Sequence, residues 1–461
     1  MKHTIELRRV PTPKRDHAIP VALTDATIAE RRTKVLERMA AAGLDKLIVY
    51  CDVEHAWNFA YLVGYYTRFE EGLMVLDASG GMRLVLGNEN LNKAGKARFA
   101  VEGILASKLS LPNQPQKDDR TMAEYLAEAG ITAGQRVGLA GWKLFTGEAD
   151  KGLALFDAPA FIVDALCELV GQSGSLVNAT ALFVGEDGVR LTNNANEIAH
   201  YEYGAALAGD CMLDAMDAVV EGATELELGD KLVRYGQHTT VTTIAAAGER
   251  FVKANMFPAG GVVKVGDPIS LTVGYQGGSS SRSSYAVHDT SELPESARDW
   301  MDEMAKPYFN AYVTWLESIR IGMAGGELFN VIERVLPRAE YGWSLCPGHL
   351  VAEEEWLCSP VYEGSAQRLQ SGMMFQIDII PGKPGMGGCC AESTVVLANA
   401  QLKADIAQQY PELWARMHKR IAYMRDVLGI QLSNDVLPMC SSVAYLRPYL
   451  LKHDEAFVVV R

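Results

Sequence analysis

The chain has 461 residues, 48% of them hydrophobic and 22% charged, with a formal net charge of −14. That balance describes a globular protein of two or three domains rather than a disordered one. The negative charge argues against non-specific binding to nucleic acid or to an anionic membrane surface, since both need a basic face.

Residues 1–20 carry charges but no apolar core, so no signal peptide is expected, and no run of ~18 apolar residues predicts a membrane span. Ile28, Val35, Leu36 and Met39 fall at helical spacing and predict an amphipathic helix over 28–43, stopped by Gly43. A buried strand follows over 45–51, then two strands over 72–77 and 82–86 that read as a hairpin. Helix-like and strand-like segments alternate to about residue 185, an α/β pattern. The polar stretch 186–194 marks a domain boundary, which gives domains of 1–187 and 188–461. Asn194 can cap a helix running toward Val220, and Thr224 to Glu227 has the capping-box form T-x-x-E. Strands over 268–275, 372–380 and 391–397 enclose a helix-rich insert at 293–337, and a helix over 403–427 precedes an irregular tail. The second part is therefore α+β with a curved antiparallel sheet. The eight cysteines include no C-x-x-C pair and read as reduced core residues of a cytoplasmic protein. Cys389 and Cys390 are expected on opposite faces of a strand.

Several phrases, in order, resemble the creatinase/aminopeptidase P/prolidase family. They are the helix-and-strand opening from Glu30 to Asp45, Asn58 to Tyr65 (N-x-x-Y-L-x-G-Y), Asn196 to Ile198, Glu221 to Glu225, Gly266-Asp267, Pro347 to His349, Gly372 to Asp378 and Glu392 to Val395. The resemblance implies an N-terminal α/β domain followed by a pita-bread catalytic domain. It also implies a homodimer in which the first domain reaches the partner's active site, with Arg68 and Phe69 in the reaching loop.

Members of that family hold two metal ions with two aspartates on neighbouring strands, a histidine and two glutamates. By position, Thr272 stands at the first aspartate and Arg282 at the second, His349 at the histidine, Asp378 at the first glutamate and Glu392 at the second. A guanidinium cannot ligate a metal and repels a dication by several kcal/mol at ~4 Å and intermediate dielectric. A dinuclear site is therefore not expected; a mononuclear site at His349, Asp378 and Glu392 remains open. The histidine that creatinase uses as a base falls at Asn255, and a later family histidine falls at Trp356. His349 is left as the proton carrier, beside the acid run Glu353-Glu354-Glu355.

The resulting expectation is a metal-independent hydrolase, without cofactor, cleaving a C–N bond of a small amino-acid-like or guanidino/amidino-like molecule. His349, Glu392 and Asp378 are the catalytic candidates. Arg282, Thr272, Asn255, Tyr275, Glu353, Arg68 and Phe69 are the substrate-binding candidates. The alternatives are an Xaa-Pro metallopeptidase, a lyase, or an inactive binding protein on the same scaffold.

Overall fold

The computed structural model describes residues 3–114, 118–252 and 257–461. They divide into two compact units, one of Leu23–Leu191 and the other of Met1–Ala22 with Thr192–Arg461. The division falls a few residues beyond the expected break after residue 187, and the residues up to Ala22 belong with the larger unit. The reason is a pairing invisible to local reading: β1 (Thr4–Arg9) runs antiparallel to the chain's last strand, Glu455–Val460.

In the smaller unit, α1 (Asp25–Ala41) begins one turn earlier than its apolar spacing indicated, because the Thr24 hydroxyl accepts the Thr27 N–H as an N-cap. It buries Ile28, Val35 and Met39. A six-stranded sheet follows, built from β2 (Lys46–Cys51), β3 (Gly72–Asp77), β4 (Met82–Leu86), β5 (Glu102–Leu105), β6 (Arg136–Ala140) and β7 (Ser175–Asn178). The order is β5-β4-β3-β2-β6-β7, and β3 and β4 form the expected hairpin. The helices α2 (Ala56–Val63), α3 (Met122–Glu128), α4 (Ala160–Val170) and α5 (Ala181–Val184) alternate with these strands. Ile48, Tyr50, Val75, Leu126, Leu139 and Leu166 share one apolar core. Beside it, His55 is clamped by two acids, Nδ1 at 2.8 Å from Asp52 and Nε2 at 3.3 Å from Asp157.

The larger unit continues with α6 (Ala195–Ala218) and α7 (Glu225–Leu232), opened by the capping boxes of Asn194 with Glu197 and of Thr224 with Glu227. Next come β8 (Ile244–Ala247), α8 (Glu249–Val252), β9 (Pro268–Tyr275) and β10 (Gly278–Tyr285), with sheet order β10-β9-β8. α6 lies on this sheet, packing Cys211, Met212, Ala215 and Met216 against Ile269, Leu271 and Val273. The approach is close: a Cβ on Gly204 would lie 1.8 Å from the Gln276 carbonyl oxygen. The helix-rich insert supplies α9 (Lys306–Ser318) and α10 (Gly325–Val335), and α11 (Arg338–Tyr341) follows just past its expected end.

A second sheet then forms from β11 (His349–Leu350), β12 (Met374–Gln376), β15 (Thr394–Leu397) and β16 (Val436–Pro438), with the small hairpin β13 (Gly382–Lys383) and β14 (Gly387–Gly388) beside it. These ladders are shorter than the expected strands at 372–380 and 391–397, because the chain leaves the ladder where it lines a cavity. The single helix expected over 403–427 is two, α12 (Ala400–Gln409) and α13 (Pro411–Asp426), since Pro411 cannot continue a helix and opens the next instead. The tail ends in β17 (Glu455–Val460), the partner of β1. No helix among the described residues is long and apolar enough to cross a membrane.

Candidate active site

β9 and β10 pair with Thr272 opposite Ser281 and Ser270 opposite Ser283. Side chains alternate across a strand, so these residues share one face. That face, Ser270, Thr272, Ser279, Ser281 and Ser283, lines a cavity of about 830 Å³. Thr272 Oγ1 donates to Ser281 Oγ at 3.0 Å. Thr272 is thus on the cavity wall.

Arg282 is not. It sits one position out of phase and points to the other side of β10, fully buried. Its donors go to backbone carbonyls: Nε to Tyr445 at 2.9 Å, Nη1 to Ser281 at 2.7 Å and Glu392 at 2.9 Å, and Nη2 to Ser442. The expected cation in the ligand set is therefore absent, and Arg282 braces the wall from behind. The run Gly-Ser-Ser-Ser-Arg-Ser-Ser has no apolar alternation, so its phase could not be read in advance.

Acids collect at one end of the cavity. His349 on β11 is fully buried, and its Nε2 lies 3.1 Å from Glu355 Oε1 and 3.7 Å from Asp378 Oδ2. One ligand atom each from His349, Glu355 and Glu392 falls within 4.8 Å of the others. Glu355, Asp378 and Glu392 line the cavity, and His349 lies behind them. Glu355, not Glu353, is the member of the acid run that lines the cavity beside His349. The Leu350 N–H bonds to the Cys358 carbonyl at 2.7 Å and the Leu357 N–H returns to Leu350 at 2.9 Å, folding the intervening loop back on β11. The loop brings Glu355 to the imidazole and stacks Trp356 on it, centroids 4.2 Å apart. Glu353 and Glu354 are buried, so the run is not a solvated surface face.

His349 Nδ1 lies 3.1 Å from the Leu350 carbonyl. A carbonyl only accepts, so Nδ1 carries hydrogen there, and in a neutral ring Nε2 presents a bare lone pair. That lone pair faces carboxylate oxygens, and Nε2 makes no well-angled hydrogen bond. Asp378 Oδ1 is likewise buried without a partner. Such a cluster calls for a positive charge at its centre, either a proton on the ring or a metal cation. Burial disfavours the imidazolium, but Glu355, Asp378 and Glu392 outweigh it and hold the ring up to about 9. Burial, together with repulsion from Asp378 and Glu355, pushes Glu392 up to about 8. Burial first and then Glu355 raise Asp378 as well.

The donor set fits one divalent cation: an imidazole nitrogen and carboxylate oxygens within reach of one point. The triad that fits is His349, Glu355 and Glu392, rather than the expected His349, Asp378 and Glu392. The wall from β9 and β10 offers only hydroxyls to the cavity, which does not fit a second cation.

The remaining candidates are scattered. Tyr275 is tied away from the cavity, donating to the Leu232 carbonyl at 2.7 Å and accepting the Arg234 N–H at 3.0 Å, because the end of β9 packs under α7. Asn255 lies outside the described residues. Arg68 and Phe69 are in the smaller unit, the guanidinium 5.7 Å over the exposed ring of Phe69. Cys389 and Cys390 are both buried on the cavity lining, outside any regular strand; Cys390 bridges to Ser283.

An α/β unit followed by an α-helix-backed, two-sheet unit with a buried His/carboxylate site defines a pita-bread protein. Residues 199–399 match the family model "Metallopeptidase family M24". No curated protein sequence matches the chain. Among solved structures it is similar to an Xaa-Pro dipeptidase from Bacillus anthracis (16% identity, 81% of this chain and 96% of that one, TM-score 0.60). It is also similar to a prolidase from Thermococcus sibiricus (15%, 82% and 95%, TM-score 0.63) and to the Pseudomonas aeruginosa aminopeptidase PepP (16%, 84% and 99%, TM-score 0.58). At these identities the likeness is one of fold.

Proposed function

We propose that this protein hydrolyses a C–N bond of a small peptide-like molecule with a single divalent cation held by His349, Glu355 and Glu392. The observation that carries this reading is the Leu350 carbonyl, which commits Nδ1 and leaves His349 Nε2 facing carboxylates. When bound, such a cation polarises the scissile carbonyl and acidifies a water. The chain's own residues do the rest. Asp378, its carboxyl raised by burial, holds or releases a proton beside the substrate. The hydroxyls of Thr272, Ser281 and Ser283 orient polar substrate atoms along the wall.

The relocation of Arg282 removes the charge argument against any metal, and similarity to prolidase-type enzymes supports a peptide bond as target. A second reading keeps the site metal-independent, with an imidazolium at His349 supplying the positive charge. It is favoured by the hydroxyl wall, which has none of the acids a dinuclear site needs. Elemental analysis of the purified protein separates the two, combined with turnover of Xaa-Pro dipeptides and small amides before and after chelation. About one Mn, Zn, Fe or Co per chain with chelator-sensitive turnover supports the first reading. Metal-free protein that turns over a small amide supports the second. His349→Ala abolishes activity under either, and unchanged activity would refute both. A homodimer and a cytoplasmic location belong to the same proposal, and light scattering of the purified protein tests the former.

A further inference from the structure

β11, β12 and β15 set His349, Gln376 and Thr394 side by side in register, and Ser279, the second residue of β10, lies against Gln376. Ser279, Gln376 and Thr394 are buried. The backbone decides which way the Gln376 amide points. Its Nε2 donates to the Ser279 carbonyl at 2.9 Å, and its Oε1 receives the Ser279 N–H at 3.4 Å. Neither backbone group can reverse its role, so the amide cannot flip. The second Nε2 hydrogen then goes to Ser279 Oγ at 2.8 Å, which makes that hydroxyl an acceptor there. Its own hydrogen goes on to Glu392 Oε1 at 3.1 Å. At the other end, Thr394 Oγ1 donates to Gln376 Oε1 at 2.6 Å. Every link donates in one direction: Thr394 to Gln376, Gln376 to Ser279, Ser279 to Glu392. Gly278 permits the arrangement, since a Cβ there would lie 1.9 Å from Thr394 Oγ1.

We propose that Thr394, Gln376 and Ser279 form a one-way relay that pins Glu392 Oε1 as an acceptor and so fixes the carboxylate beside the cavity. Ser279 is then a positioning residue acting through Glu392. The kinetic part of this inference rests on the hydrolase reading above; the geometry does not.

The test uses three variants of the full chain. Ser279→Ala deletes the donor, Ser279→Thr keeps it, and Gln376→Glu puts an acceptor where Ser279 is now given a hydrogen, drawing the hydroxyl away from Glu392. Loss of such an outer partner lowers activity by about 10–100-fold. Ser279→Ala and Gln376→Glu therefore lose that much in kcat with little change in KM. Ser279→Thr recovers most of it, and the double variant is no worse than either single one. Independently of turnover, the infrared carboxyl band of Glu392, assigned by difference from Glu392→Gln, moves in Ser279→Ala and Gln376→Glu and stays put in Ser279→Thr. An unmoved band in Ser279→Ala, or Ser279→Thr as impaired as Ser279→Ala, overturns the relay. If the wild-type protein turns over none of the substrates offered, the hydrolase reading falls and the band alone decides the relay.

Discussion

Arg282 gives its donors to the carbonyls of Ser281, Glu392, Ser442 and Tyr445, all inside the protein. A buried charge so held is costly to disturb: truncation takes a charged donor from all four carbonyls, and only those of Glu392 and Ser442 keep a backbone N–H, from Ser281 and Tyr445. Arg282→Ala is expected to lose about 3–5 kcal/mol of stability. Arg282→Lys, which keeps the charge but not the fork, should lose roughly 1–3 kcal/mol. Denaturant midpoints measure both; a raised KM with unchanged stability would instead return the guanidinium to the substrate. His55 offers a second residue-scale test, through pH. Burial opposes its charge, but Asp157 and Asp52 outweigh that and hold it up to about 9, while Asp52 is held down to about 2 by His55 despite burial. The folded value is raised, so the clamp stabilises fully below the unfolded value of ~6.5 and is lost as pH rises through about 9. His55→Gln should cost about 1–3 kcal/mol at pH 6, discounted for partial exposure, and almost nothing at pH 10. A pH-independent difference would rule out the charged clamp.

At the scale of elements, β1 and β17 are each other's partners over six register pairs, Thr4 opposite Val460 through Arg9 opposite Glu455. Removing residues 455–461 strips β1 of its ladder and exposes the face of Phe457, which stacks on Phe309 at 5.2 Å. A clear fall in melting temperature is expected by circular dichroism, and an unchanged one would show β17 to be dispensable. The elements also show how far the sequence could be read. Capping residues announced α6 and α7 because an N-cap needs only one side chain and a three-residue spacing. β9 was readable as a strand and β10 only through the resemblance, which puts two ligand positions on neighbouring strands; the phase of β10 was not readable, since serine is equally at home on either face. Glu355 was hidden in a run of three acids, and only the return of the loop onto β11 picks it out. The β1–β17 pairing joins the far ends of the chain, which no local pattern can reveal.

For the whole molecule, each unit has its own apolar core, around Ile48 and Leu139 in one and around Met212 and Leu271 in the other. Units with separate cores unfold as separate steps when heated. A cation bound at His349, Glu355 and Glu392 stabilises only the unit that holds them, by an amount set by its concentration relative to its Kd. Calorimetry with increasing Mn²⁺ should therefore move one transition upward and leave the other in place. A joint shift of both, or none at saturating metal, would contradict a site confined to the larger unit.

β1 waits on β17, which is made long after it. During synthesis at ~5–20 residues per second, β1 emerges long before β17 and stays an unpaired edge until β17 follows. The smaller unit, encoded between them, is complete well before that. Nascent molecules of this protein therefore carry β1 as an unsatisfied strand until β17 has been made. An affinity tag fused ahead of Thr4 would be felt in folding yield rather than in the finished site.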